Sequence, residues 1–194
     1  MTNLTLYTIH AILILDSTGN RLFAKYCQSP HEIPQIGYVH PNLYPTVKEQ
    51  RIFEKGLWEK TKKTNNDVIL YENRTVVYKL SVDVMIYVVG GQDENELMLY
   101  EVLTTLKETL EMLLKMLIDK HALLENYDLL SLAVNEICDN GIIVETEPSV
   151  IVSRISRPSF SDGIVQVDLS EKGLMNAYQM AKEKLAERIL KGNI

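Results

Sequence analysis

Six leucines, Leu99, Leu103, Leu106, Leu110, Leu113 and Leu117, recur at alternating spacings of four and three, which places them on one stripe of a long helix. Burying such a stripe contributes roughly 1.5 to 3 kcal/mol per side chain before ordering entropy is subtracted, so it requires a broad apolar partner. The segment just upstream supplies one. TVVYKLSVDVMIYVVGG, residues 75–91, is rich in Val, Tyr and Ile and free of Pro and Gly until Gly90-Gly91, and it reads as two strands, Thr75–Ser81 and Val84–Val89. Asp93 with Glu96 forms the expected capping box of the leucine helix. Downstream, Tyr127, Leu130, Val134 and Ile137 share one face of a further helix, with Asn140-Gly141 as its expected stop. Residues 75–147 thus read as strands followed by two amphipathic helices, and the remaining chain is expected to complete the sheet.

Leu4 to Leu15 is an apolar run of strand length, Asp16-Ser17-Thr18-Gly19-Asn20 a polar turn, and Arg21 to Cys27 its return strand. The near absence of alternation in Ala11–Leu15 predicts a strand covered on both faces. Pro30, Pro34, Pro41 and Pro45 make Gln28–Pro45 a long loop. Thr46 then caps a helix running to Lys63, with Val47, Ile52, Phe53, Leu57 and Trp58 as its apolar set. Val68–Tyr71 is a short strand, and Glu72-Asn73-Arg74 a turn. Beyond Glu147 the composition shifts. Pro148–Gly163 reads as a Ser- and Pro-containing linker with one strand candidate, Val150–Val152, and Ser170 caps a last amphipathic helix, Glu171–Leu190. The expected organisation is one domain over 1–147 and an extension over 148–194.

A net charge of −6 argues against nucleic acid, because phosphate binding wants a basic surface. The longest apolar run, Val82–Val89, is interrupted by Asp83 and far shorter than the roughly 20 residues of a membrane helix. Membrane contact is therefore expected only through a partner. His10, His31, His40 and His121 show no helical pairing and no Cys-x-x-Cys occurs, so neither a metal nor a cofactor is expected. Asp16-Ser17-Thr18-Gly19 is similar to an aspartic-protease loop, but a residue separates the acid from Thr-Gly and no second copy supplies a partner carboxylate. Asp93, Glu94 and Glu96 would repel a phosphate from Gly90-Gly91. Cys27 and Cys138, far apart in sequence, read as free thiols of a cytosolic chain. No catalytic constellation emerges, and a binding or scaffold module remains.

AILILDSTGNRLFAKYC, residues 11–27, resembles the opening hairpin of the small subunits of vesicle-coat adaptor complexes, with its Gly-containing turn, Arg21 and the Lys25-Tyr26 pair. VVYKLSVDVMIYVVGGQDENEL, residues 76–97, and NEICDNGIIVET, residues 135–146, resemble the same family's central strands and closing helix with its Gly turn. The resemblance implies an α+β fold of longin type: a five-stranded antiparallel sheet with one helix on one face and two on the other, here followed by a C-terminal extension. Continuation past Glu145-Thr146 to Ile194 resembles the zeta-type branch of the coatomer (COPI) coat rather than the sigma chains of clathrin adaptors. A sigma chain, and a stand-alone longin tether or regulator, stay open as alternatives.

The resemblance further implies a non-enzymatic subunit that pairs with a large helical-repeat chain (gamma-COP) within coatomer. It also implies an Arf-family GTPase as partner, directly or through the large chain, and a cytoplasmic protein peripheral on Golgi membranes, acting in Golgi-to-ER and intra-Golgi transport. Candidates for the partner surface are Tyr38, Leu43 and Tyr44 in the Pro-rich loop, Trp58 on the first helix, and Leu174, Tyr178, Leu185 and Ile189 on the last. For each, internal packing is the alternative.

Overall fold

A computed structural model describes residues 6–27, 44–64 and 67–156. Strands β1 (Ile9–Asp16), β2 (Arg21–Tyr26), β3 (Val68–Tyr71), β4 (Arg74–Ser81) and β5 (Val84–Gly90) form one antiparallel sheet in the order β2-β1-β5-β4-β3. Helix α1 (Val47–Thr61) connects β2 to β3 in the chain. After β5 come α2 (Glu96–Leu114), α3 (Lys120–Glu125), α4 (Tyr127–Ile137), a small hairpin of β6 (Cys138–Asp139) and β7 (Ile142–Ile143), and α5 (Pro148–Ile155).

The two faces of the sheet carry separate cores. Ala11, Leu13, Leu15, Val76, Tyr78, Tyr87 and Val89 pack against Phe53 and Leu57 of α1. Ile12, Ile14, Val77, Val84, Ile86 and Val88 pack against α2, α4 and α5 through Leu99, Leu103, Leu106, Val134 and Ile151. Every residue of β1 is buried, as its lack of alternation predicts, because it has a strand on each edge and a helix layer on each face. Ile9 joins Ile12 on the α2 face although the two are an odd number of residues apart; a register shift between Ile9 and Ala11 supplies the extra residue. The expected sheet with one helix on one face and two on the other is therefore present, with α3 and α5 added to the second layer.

Several boundaries differ from expectation for local physical reasons. Helix α1 begins with the capping box of Thr46 and Glu49, and Phe53 and Leu57 are buried, but Val47 and Ile52 face solvent. Its buried stripe is completed by the polar Glu54 and Thr61 instead. Asn95, not Asp93, caps α2, its side chain accepting from the Leu97 amide at 2.9 Å. Lys115 adopts a left-handed conformation that ends α2, so Leu117 falls off the stripe and is 70% exposed while Ile118 takes the buried place. Tyr127 is likewise exposed, leaving Leu130, Val134 and Ile137 as the buried face of α4.

Asn140-Gly141 is the two-residue turn of the β6–β7 hairpin rather than a helix stop, both residues having positive φ. A Cβ on Gly141 would lie 2.7 Å from the Ile9 carbonyl oxygen. Val150–Val152 is not a strand: Pro148 occupies the first turn of α5, and Ile151 and Ile155, four apart, enter the core. The linker reading thus fails for 148–155, and the compact unit runs to Ser156. The last helix expected at Glu171–Leu190 lies outside the described residues.

Leu106 is completely buried and Leu117 is not. Replacing Leu106 with Ala is expected to cost about 2–5 kcal/mol and Leu117→Ala less than about 0.5 kcal/mol, read from urea unfolding midpoints at equal slope.

Candidate partner interface

The α1 face is closed by polar clamps. Glu54, 2% exposed, is ion-paired to the Arg21 guanidinium, Nη2–Oε1 at 2.5 Å, and accepts hydrogen bonds from Arg21 Nε at 2.9 Å and from the Tyr26 hydroxyl at 2.9 Å. This ion pair joins α1 to the edge strand β2. Burial, and then the Glu54 carboxylate, drives the Tyr26 phenol far above its ordinary ionisation range, so it remains a donor. At the other end of α1, Thr61 Oγ1 lies 2.8 Å from the Tyr87 hydroxyl, and burial pushes that phenol up to about 12.

Two of the expected interface residues fall among the described ones, and both are half-buried against their own domain. Tyr44 packs 4.6 Å, centroid to centroid, from Phe53, lies under the Arg74 guanidinium at 5.2 Å, and donates its hydroxyl to Glu72 at 2.9 Å. Trp58 covers the β1–β2 turn so closely that a Cβ on Gly19 would meet its indole at 2.7 Å, and Lys62 Nζ sits 4.3 Å from its ring centroid. Both hold α1 and its entry segment onto the sheet. Tyr38, Leu43, Leu174, Tyr178, Leu185 and Ile189 lie outside the described residues.

Exposed apolar side chains occur on several elements, and one group of them lies at the end of the second helix layer. Met112, Met116 and Leu117 are exposed at and beyond the C-terminus of α2. The β4–β5 turn is fastened beside them: Ser81 Oγ donates to the Ile118 carbonyl at 3.0 Å, and the Lys120 amide to Asp83 Oδ1 at 2.9 Å. That turn carries Val82, 61% exposed and at φ 49°. A β-branched residue in the left-handed region is a backbone outlier of roughly 1–2 kcal/mol, so neither burial nor conformational preference accounts for valine there. Periodicity could not find this patch, because Leu117 looks like core until Lys115 turns the chain.

Asp16 anchors the same end of the fold. Its carboxylate, 3% exposed, accepts from the Thr18 amide and hydroxyl, the Asn20 amide and Lys120 Nζ, which spends its lone pairs on the turn and on the first residue of α3. The Asp16-Ser17-Thr18-Gly19 segment is accordingly a hairpin turn. Burial raises its pKa, but the hydrogen bonds from Thr18, Lys120 and the turn amides outweigh that and hold it far below the ordinary carboxylate value. Among the described residues, no cluster of three or more His, Cys, Asp or Glu side chains could hold a metal, and no helix is long and apolar enough to cross a membrane.

Glu54→Ala leaves Arg21 without its acid and is expected to cost about 3 kcal/mol by urea unfolding, whereas a rim residue such as Glu101 is expected to be neutral to substitution. The folded pKa of Asp16 is lowered, so its stability contribution is complete above the unfolded value of about 3.9 and is lost as pH falls below it. Between pH 5 and pH 2.5, roughly, the unfolding midpoint should fall further for the wild type than for Asp16→Asn.

The profile of the clathrin adaptor complex small chain family matches residues 8–159. Coatomer subunit zeta of Saccharomyces cerevisiae is 39% identical over 192 residues, spanning 99% of this chain and 100% of its own. Coatomer subunit zeta-1 of Homo sapiens is 42% identical over 187 residues, 96% of each chain, and that of Arabidopsis thaliana 36% identical over 184 residues. A chain in a homology model of the full-length AP-3 complex, in a stretched open conformation, superposes with a TM-score of 0.54 over 91% of this chain and 98% of its own. Its identity is 17%, which is likeness of fold. The chain belongs to the clathrin adaptor complex small chain family and is a homologue of the coatomer zeta subunits.

Proposed function

We propose that this protein is the zeta-type small subunit of a coatomer (COPI) coat, where it pairs with the large gamma-type subunit. The family makes it a small structural subunit of a vesicle coat, not an enzyme. The observation that carries the finer reading is the extent of the alignment: zeta subunits match this chain through nearly its whole length, including the residues after Thr146. A sigma chain is the second reading, and the match to the clathrin adaptor complex small chain family is what keeps it in view.

In this role the domain is a folded wedge rather than a machine. Two well-filled cores make it rigid, and its apolar surface completes a partner several times its size. Obligate interfaces of this kind bury roughly 2,000–5,000 Å² in total and are more apolar than transient ones. Val82, Met116 and Leu117 supply a described starting point, and Tyr38, Leu43, Leu174, Tyr178, Leu185 and Ile189 extend the proposed surface. Residues 157–194 belong to the proposed extension. Recruitment to Golgi membranes through an Arf-family GTPase, acting on the coat as a whole, and service in Golgi-to-ER retrograde transport belong to the same proposal.

The test is affinity purification of the tagged full-length chain with quantification of stoichiometric partners. Seven-component coatomer, with the gamma subunit retained at the highest salt, is the expected result. A four-component clathrin adaptor would make the protein a sigma chain, and recovery of the protein alone would sink the coat reading. Leu117→Glu should lower recovery of the large subunit by about tenfold while the melting temperature stays within about 1 °C of wild type. Unchanged recovery removes this patch from the interface.

A further inference from the structure

Cys27 follows β2 directly, and Cys138 is the first residue after α4. They are 111 residues apart in the chain, yet their Sγ atoms lie 3.9 Å from each other. Each is held by backbone on more than one side. The Cys27 amide donates to the His10 carbonyl at 2.8 Å, which continues the β1–β2 ladder, while Cys138 pairs with Ile143 in the small hairpin. Lys25 Nζ ties the two elements together, donating to the Cys138 carbonyl at 2.5 Å and to Asn135 Oδ1 at 2.7 Å. Both sulfurs are free thiols, Cys138 fully buried and Cys27 half-buried.

We propose that Cys27 and Cys138 are a modification site, closing to a reversible intramolecular disulfide when the protein meets a hydroperoxide. A disulfide needs its sulfurs about 2.05 Å apart, so closure brings these together by roughly 2 Å, within reach of side-chain rotation. Cys27, the accessible member, gives its sulfur to the peroxide: the O–O bond breaks, Cys27 becomes a sulfenic acid, and an alcohol, or water from hydrogen peroxide, leaves. Cys138 Sγ then attacks the Cys27 sulfur, the S–O bond breaks, and water departs with the Cys138 proton. Two thiols and one hydroperoxide yield one disulfide, one alcohol and one water. The hydrogen-bonded contact with Cys138, and burial, raise the Cys27 pKa, which makes the first step slow. The device is thus a stoichiometric latch. It fastens the point where the chain leaves β2 to the end of α4, two elements otherwise joined there by the Lys25 bridge.

The experiment treats the full-length protein with hydrogen peroxide, in native buffer and in concentrated urea, followed by alkylation of remaining thiols and non-reducing peptide mapping. In native buffer both thiols should be lost together into one peptide pair linking Cys27 to Cys138, in monomeric protein, and dithiothreitol should restore them. The linked pair should form at least about tenfold faster than in urea, where the long separation keeps the sulfurs apart. Cys138→Ser should divert Cys27 to sulfinic acid. Linkage no faster in native buffer than in urea, or linkage only between molecules, overturns the proposal.

Discussion

The pairing of β1 with β5 is the constraint on which the rest of the molecule depends. These two strands lie inside the sheet, each with both edges bonded, and between them they put apolar side chains on both faces. A strand pair with no solvent face demands a layer above and a layer below. The chain supplies them unequally: one helix on the face of Ala11, Leu13 and Tyr87, and the α2, α4 and α5 group on the face of Ile12, Ile86 and Val88. The thin layer is reinforced by polar contacts along the length of its helix. A lone helix contributes only Phe53 and Leu57 as fully buried apolar residues, and Arg21–Glu54, Tyr26, Tyr44 and Trp58 hold it in register. The thick layer has leucine in quantity and, at its ends, polar ties from Ser81 to Ile118, from Asp83 and Asp16 to Lys120, and from Lys25 to Cys138.

That asymmetry explains what could be read from sequence and what could not. The Thr46 cap, the β1 burial and the leucine stripe through Leu110 rest on neighbours within a few residues, and each was legible. The exposure of Val47 and Ile52 was not, because a charged helix with apolar residues on two sides does not say which side meets the sheet, and Glu54 on the buried side argues for the wrong one. Leu117 continues the correct spacing, but helix termination at Lys115 is a backbone event that spacing does not report. Helix α5 carried its own signal, Pro148 followed by Ile151 and Ile155, which the Ser-rich surroundings obscured. The approach of Cys27 to Cys138 depends wholly on the fold and left no trace in the sequence.

As a coat subunit the domain is suited to being a rigid insert. Its two expected contact residues that are described, Tyr44 and Trp58, are half-buried in internal packing, and one group of exposed apolar side chains lies where α2 ends and β4 turns into β5. Asp16, Asp83 and Lys120 brace that end with hydrogen bonds, so the exposed Val82 and Leu117 are presented by a fixed framework. Fixed presentation of a side chain lowers the ordering entropy that any association through it would cost.

The strand order has a consequence for synthesis. β1 leaves the ribosome early with β2, but its inner partner, β5, follows only after α1, β3 and β4 have been made. At roughly 5–20 residues per second, the interval is several seconds. Through that time Ile9–Asp16, the most completely buried strand of the finished protein, has an unpaired edge, and its Ile12 and Ile14 face lacks the helices that follow β5. The nascent chain is therefore most prone to aggregate before its sheet can close, and its cellular yield should depend more on chaperone supply during translation than on the stability of the finished domain.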